Sequence, residues 1–279
     1  MAEDTRSVCV IGWPVKHSRS PLIHRFWLER YGIAGDYRRE AVSPEDFSGF
    51  VGDLAGRGYV GANVTLPHKE AALALADADA RARAVGAANT LWLDGDRLRA
   101  TNTDVEGFVG NLDAAAPGWD ASCDTALVLG SGGGTRAVLF GLKERGVARI
   151  LLANRTRAKA EALAAAFGDR VRTIDWGDMP AALPACSLLV NTTSLGMVGQ
   201  PELDVDVRKL PANAVVADLV YVPLQTELLR RAQVRGLRMA DGLGMLLHQA
   251  VRGFSLWFGM KPEVTPQLRA LIERDLLGD

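Results

Sequence analysis

Short apolar runs recur along the chain, and each stops at a glycine, a proline or a polar residue. They lie at residues 7–11, 59–65 and 87–93, and again at 126–129, 149–153, 187–191 and 214–219, and the more polar stretches 37–42 and 171–174 complete the series of strands. Runs of this length predict strands, and Ala126-Leu127-Val128-Leu129 predicts one buried on both faces, as in a parallel sheet. Between the runs the apolar residues take helical spacing: Leu22, Ile23, Phe26, Trp27 and Tyr31; Phe47, Phe50, Val51 and Leu54; Phe108, Val109 and Leu112; Val138, Leu139 and Leu142. Further helices are predicted at 70–85 with a break near 77–79, at 225–235, at 243–260 and at 265–277, the last with Thr265 as cap and Pro266 as first residue. Pro21 is read as opening a helix with Ser20 as its N-cap, Ser43-Pro44-Glu45-Asp46 as starting another that ends by Gly56 and Gly58, and Pro67 as opening a third. Asp94-Gly95-Asp96 predicts a hairpin turn. Strand alternating with helix predicts α/β layering, and the long helix after Gly242 is free to return to the first half of the fold.

The most informative stretch is ALVLGSGGGTR at 126–136. A buried strand runs into Gly130, Ser131, Gly132, Gly133 and Gly134, and a helix follows. Glycines there permit a tight turn and close approach to a pyrophosphate, whose charge the helix N-terminus favours. Gly130 and Gly132 fill the first two positions of the dinucleotide fingerprint, while the third falls on Thr135 beside Gly134. A glycine cluster alone also fits an ordinary tight turn. The next strand, 149–153, adds to it, because it ends in Asn154-Arg155-Thr156, with Arg157 and Lys159 close behind. An NAD site places an acid there for the ribose hydroxyls, whereas a guanidinium beside hydroxyls suits a 2′-phosphate. The expected cofactor is therefore NADP(H).

Composition narrows the classes. Hydrophobic residues make up 48 % and charged residues 23 % of 279, with net charge −1, so neither a nucleic-acid partner nor a membrane surface is expected. The polar N-terminal residues lead into no signal-peptide core, and cytoplasmic residence is expected. Cys9, Cys123 and Cys186 are far apart and form no metal spacing, and no histidine pair has HExxH spacing, so no metal is expected.

Polar residues gather just after the strands of the first half: Ser18 and Ser20, Asn63 and Thr65 with Lys69, Asn89, and Asn102 with Asp104. In open α/β sheets ligands sit beyond the carboxyl ends of strands, so these loops predict a pocket for a hydroxylated small molecule. Individually, Ser20 and Asp104 also fit N-caps and Asn89 a turn. Lys69 is different, because a cation in the first helical turn opposes the helix dipole.

The chain resembles the shikimate dehydrogenase family in a series of ordered motifs. They are IGWPVKHSRSPLIH (11–24), GANVTLPHK (61–69), GAANTL (86–91), NTD (102–104), GSGGGTRA (130–137), NRT (154–156), NTTSLGM (191–197), DLVYVPLQTELL (218–229) and DGLGMLLHQA (241–250). The resemblance implies an N-terminal α/β substrate domain with a mostly parallel sheet, residues 1–105 completed by helices in 243–279. It also implies a Rossmann-like NADP-binding domain, residues 106–242, with the active site in the cleft between the two. The implied activity is reversible NADPH-dependent reduction of 3-dehydroshikimate to shikimate, on the route to chorismate and the aromatic amino acids. Lys69 and Asp104 correspond to the catalytic pair. Ser18 and Ser20, helped by Tyr221, correspond to the carboxylate ligands. Thr65, Asn89, Asp104 and Gln249 correspond to the ligands of the ring hydroxyls, with Asn63 in the same pocket. Gly130 to Gly134, the stretch from Asn154 to Lys159, Leu219 and Gly242 correspond to cofactor contacts. Arg25 departs from the family's smaller or amide residue.

Hydride transfer to a ketone carbon leaves negative charge on its oxygen, which a cation or acid within hydrogen-bond reach stabilises and protonates. Lys69 and Asp104 are both suited to this, and the residues leave open which carries the proton. Two rivals remain: a quinate/shikimate dehydrogenase of broader substrate or cofactor range, and a non-catalytic NADP-binding sensor. A monomer and a homodimer fit the sequence equally.

Overall fold

A computed structural model describes residues 5–278 and divides the chain into two units, Met1–Asp104 with Gln249–Asp279, and Val105–His248. The first unit opens with β1 (Arg6–Gly12), α1 (Ser20–Tyr31), β2 (Gly35–Ala41), α2 (Phe47–Gly52) and β3 (Tyr59–Val64). It continues through α3 (Lys69–Leu75), the two-residue β4 (Asp77–Ala78), α4 (Ala80–Val85), β5 (Thr90–Asp94) and β6 (Arg97–Thr101). Its sheet has the order β2-β1-β3-β5-β6-β4. The β1–β2, β1–β3 and β4–β6 pairs are parallel, and the hairpin makes β3–β5 and β5–β6 antiparallel.

The second unit takes up the chain with α5 (Asp104–Ala115), whose first residue still belongs to the first unit. Next come β7 (Thr125–Leu129), α6 (Gly133–Glu144), β8 (Arg149–Ala153), α7 (Arg157–Phe167), β9 (Val171–Ile174) and α8 (Met179–Ala182). β10 (Leu188–Asn191), β11 (Val215–Asp218), α9 (Glu227–Val234) and β12 (Arg238–Ala240) follow. The sheet order is β12-β11-β10-β7-β8-β9, parallel throughout. This is the doubly wound order, and its direction reverses between β7 and β10, where such sheets bind ligands. Ala126 and Val128 pack into one buried cluster and Leu127 and Leu129 into another, so β7 is covered on both faces as its apolar run predicts.

α10 (Gly242–Phe258) and α11 (Pro266–Leu277) end the chain. Phe254 and Trp257 from the last turns of α10 pack with His24, Trp27 and Tyr37 in the first unit. Cys9, Ile11, Ala62 and Val64 point into a cluster on the other face, as alternation along a strand requires. Gly61 is needed where Trp257 crosses β3: a Cβ there would lie 2.1 Å from the indole nitrogen, which donates to the Leu91 carbonyl at 2.8 Å.

Some local expectations shift. Ser20 is the first residue of α1, not its N-cap; Arg19 takes that place, and the Ser20 N–H turns back to Ser18 Oγ at 3.3 Å. α2 begins at Phe47, because Ser43 Oγ accepts the Asp46 N–H at 3.3 Å and holds 43–46 as a turn, and it ends at Gly52. Pro67 lies in a turn closed by the His68 N–H on the Thr65 carbonyl, and α3 starts at Lys69. β4 and β12, both three residues or fewer, follow no apolar run.

Candidate active site

In the first unit, α3 delivers Lys69 in its first turn, and the Lys69 carbonyl accepts the Ala88 N–H at 2.9 Å, which ties α3 to the strand-end loop at Asn89. Lys69 Nζ donates to Asp104 Oδ2 at 2.5 Å. The pair is partly open, with side-chain exposures of 25 % and 15 %. A cation that the helix dipole disfavours is thus matched by a carboxylate. Asp104 Oδ1 accepts from Asn89 Nδ2 at 2.8 Å, and the Asp104 N–H donates to Asn102 Oδ1 at 3.0 Å. Asn89 Oδ1 in turn accepts the Thr103 N–H at 2.8 Å and the Thr90 hydroxyl at 3.1 Å. Thr103 Oγ1 reaches Gln249 Oε1 at 3.4 Å.

Asn63 is buried, and its side chain is occupied. Nδ2 donates to the Asn89 carbonyl at 3.2 Å and to Thr90 Oγ1 at 3.1 Å, while Oδ1 accepts the Tyr37 hydroxyl at 2.6 Å. Ser18 and Ser20 pair through their hydroxyls at 3.3 Å. Thr65 ends β3 with its N–H on the Ile11 carbonyl. The structure therefore links Lys69, Asp104, Asn89, Asn63 and Gln249 in one hydrogen-bonded group and places Ser18 with Ser20. Tyr221 belongs to the second unit and is half-buried.

The residues beneath this network, Tyr37, Thr90 and Thr103, and His68 beside Lys69, carried no sequence expectation as site groups. His68 Nε2 lies 2.8 Å from the Val42 carbonyl, and its ring stacks on Phe47, fixing the N-terminus of α3. Its place inside the GANVTLPHK motif is the signal that marks it. Arg25 reaches the Tyr37 carbonyl at 3.3 Å and Asp36 at 3.7 Å, so it braces β2.

In the second unit, β7 stops at Gly130, whose φ of 115° and closeness to Thr192 (2.5 Å from an added Cβ to Oγ1) exclude a side chain. A Cβ at Gly132 or Gly133 would meet open space, whereas one at Gly134 would touch Leu219 at 3.0 Å. α6 starts at Gly133, so its first N–H groups point out of the helix at the switch point. Ser131 lies in the turn before it. Thr135, at the third fingerprint position, turns inward and is fully buried, with its hydroxyl 2.7 Å from Thr192 Oγ1. Gly242 passes so near β11's end that a Cβ would sit 2.4 Å from the Leu219 carbonyl oxygen.

At the end of β8, Asn154 Nδ2 donates to the Thr156 carbonyl at 2.9 Å. Arg157 is held by Glu161 at 2.8 Å and Asp175 at 2.6 Å. Arg155 and Lys159 are exposed, and neither makes an ion pair among the described residues. Below the switch point lies a buried polar group with no sequence expectation. Asp218 accepts from Asn191 Nδ2 at 2.9 Å, Thr226 Oγ1 at 2.7 Å and the Val220 N–H at 3.0 Å. Burial outweighs these bonds and pushes the Asp218 carboxyl up to about 6. The Asn-Thr-Thr run that ends β10 and leads out of it is its sequence signal. Among the described residues no acidic, histidine or cysteine cluster fits a metal ion, and no helix is long and apolar enough to cross a membrane.

A doubly wound sheet with a glycine turn at its switch point defines an α/β protein with a dinucleotide-binding unit, here joined to a second unit that carries a lysine–aspartate pair. Residues 10–91 match the shikimate dehydrogenase substrate binding domain, 114–200 the shikimate / quinate 5-dehydrogenase family and 242–272 the shikimate 5′-dehydrogenase C-terminal domain. The chain is 67 % identical over 276 residues, 99 % of each chain, to a shikimate dehydrogenase (NADP(+)) of Rhodopseudomonas palustris (strain TIE-1). It is similar to the shikimate 5-dehydrogenase of Thermus thermophilus in complex with NADP(H) and shikimate, with TM-score 0.84 and 36 % identity, over 98 % of this chain and 100 % of that one. It is also similar to the quinate dehydrogenase of Corynebacterium glutamicum in complex with NAD, with TM-score 0.89 and 31 % identity, over 96 % of this chain and 98 % of that one. The chain belongs to the shikimate dehydrogenase family.

Proposed function

We propose that the chain catalyses the reversible reduction of 3-dehydroshikimate to shikimate with NADPH, a step toward chorismate and the aromatic amino acids. The observation that carries this reading is the Lys69–Asp104 contact of 2.5 Å, partly open and set among hydrogen-bonding side chains. NADPH, when bound, supplies the hydride. Lys69 stabilises the negative charge that gathers on the ketone oxygen and delivers its proton, while Asp104 keeps the ammonium charged and in place. Asn89, Thr65 and Gln249 meet the ring hydroxyls, with Asn63 fixing Asn89 from below. Ser18 and Ser20, with Tyr221, take the carboxylate.

The second unit fits the cofactor. The open positions at Gly132 and Gly133, with Gly130, Ser131 and Gly134, leave room for a pyrophosphate against backbone N–H groups. Leu219 and Gly242 border the same end of the sheet. Arg155, unpaired among the described residues and flanked by Asn154, Thr156 and Lys159, suits a 2′-phosphate, and no acid ends β8 to take the NAD ribose. We accordingly assign residues 1–105 with the helices in 243–279 to substrate and 106–242 to NADP. The substrate is a small molecule, the compartment cytoplasmic, and the enzyme a monomer or homodimer.

The test is absorbance at the NADPH band with shikimate and NADP+, repeated with NAD+ and with quinate. Rapid turnover confined to shikimate and NADP+ supports the proposal. Comparable rates with quinate or NAD+ would make the protein a quinate/shikimate dehydrogenase of broader substrate or cofactor range. A folded chain that binds NADPH yet turns over no pair would be a sensor.

A further inference from the structure

Ser18 stands on a stretch, residues 13–19, without helix or strand, and Ser20 opens α1 directly after it, so something outside the stretch must hold the Ser18 hydroxyl in register with that of Ser20. The Ser18 carbonyl lies one residue before the N-cap of α1 and so outside the helix's hydrogen-bond ladder. It is taken by Arg39 of β2, whose Nε and Nη2 both donate to it, at 3.0 and 2.7 Å. The preceding carbonyl, of His17, accepts from Arg19 Nη1 at 2.6 Å, and Arg19 Nε is anchored on Asp275 of α11 at 2.8 Å. Two successive carbonyls are thus gripped by guanidinium groups anchored on different elements.

Arg39 differs from its neighbours in what its charge meets. Arg25 and Arg38 both reach Asp36. Arg39 makes no ion pair among the described residues and spends its donors on a neutral carbonyl. A positive charge that makes no ion pair among the described residues therefore sits on the backbone carbonyl of Ser18, whose hydroxyl pairs with that of Ser20. A bond to a charged donor is stronger than a neutral one, and a chelated carbonyl cannot swing away.

We infer that Arg39 is a positioning residue for the substrate carboxylate, fixing Ser18 and biasing the serine pair toward an anion. The inference rests on the reading that Ser18 and Ser20 bind that carboxylate. Arg39 is exposed, so Arg39→Met should fold with an unchanged melting temperature. Initial rates are measured for Arg39→Met, Arg39→Lys, Ser18→Ala and the Ser18→Ala/Arg39→Met double variant, with shikimate and with its methyl ester.

The expected result for Arg39→Met is a shikimate KM raised roughly three- to tenfold, with kcat and the NADP+ KM within about twofold. Arg39→Lys recovers part of the loss, the methyl ester is affected less than shikimate, and the double variant is little worse than the more impaired single one. If Ser18→Ala raises the shikimate KM and Arg39→Met does not, the role of Arg39 is overturned and the serine site stands. If Ser18→Ala leaves the shikimate KM unchanged, the serine reading itself fails, and the inference with it. Equal losses with shikimate and its ester, or a parallel rise in the NADP+ KM, would reduce Arg39 to a purely structural contact.

Discussion

Asp104, which follows β6 and opens α5, has two carboxylate oxygens, and side chains fill both: Lys69 takes one and Asn89 the other. At the end of β7 in the second unit, the groups open to a ligand are backbone N–H groups at Gly132 and Gly133, and the neighbouring side chains of Thr135, Thr192 and Asp218 are turned inward. The contrast follows from what each ligand demands. Redox chemistry at one carbon of a polyhydroxylated ring needs charged and amide groups at fixed points, which side chains alone supply. A pyrophosphate needs only N–H groups and close approach, and there any Cβ is an obstruction. The first unit should therefore be sensitive to side-chain chemistry. In the second, sensitivity should concentrate in backbone shape and in Arg155, the exposed arginine proposed to read the cofactor.

The sharpest way to break the comparison is Lys69→Ala. Loss of the proposed proton donor should lower kcat by roughly 10²–10⁴-fold, with a smaller change in the shikimate KM. Near-normal turnover would remove Lys69 from the chemistry.

Arg155→Ala probes the other side. Losing a charge-assisted bond to a 2′-phosphate, roughly 1.5–3 kcal/mol, should raise the NADPH KM about ten- to a hundredfold and leave the NADH value near its starting point. Equal effects on both cofactors would show that Arg155 does not read the phosphate.

The smallest effect, taken per pH unit, concerns stability. His24 is fully buried in the first unit with neither ring nitrogen hydrogen-bonded, and burial pulls it down from 6.5 to about 3. Below about pH 6.5 the unfolded chain takes up a proton that the folded one refuses. Stability from this site is therefore complete above that pH and is lost toward pH 3. Asp218 has the opposite sign: its raised folded value, about 6 against 3.8, means that its contribution is present below pH 3.8 and is lost as pH rises through 6. Between about pH 6 and 4 the two slopes oppose each other. His24→Phe removes only the first, so its stability relative to the original chain should gain about 1.4 kcal/mol for each pH unit of acidification. Urea unfolding at several pH values measures this, and a constant difference would mean that the folded chain protonates His24 near its ordinary value.

Much of the second unit was legible because its signals are local. A β7 strand buried on both faces is written in four consecutive apolar residues, and the turn at 130–134 in the run of glycines that follows them. Lys69 stood out by being wrong for its helix. Asn63 was legible as a polar residue at a strand end but not as one whose side chain is already occupied, since Tyr37 and Thr90 reach it from other strands. Ser20 fits an N-cap by composition and is instead the first residue of the helix, because Ser18 offers its N–H a nearer partner.

The amino-acid order was enough for the alternation of strands and helices, the dinucleotide turn with its basic neighbour, and the oddly placed Lys69. Each of these depends on residues within one turn or one strand of each other, or on a type of residue placed against its local preference. The tertiary structure alone decided that Trp257 crosses the first sheet at Gly61, that Asn191 and Thr226 surround Asp218, and that Arg39 grips the Ser18 carbonyl. These contacts join residues whose separation along the chain carries no periodic signal. They form only once sheet order and helix return have brought the strands side by side, since a buried polar group must then find its partner wherever the fold provides one.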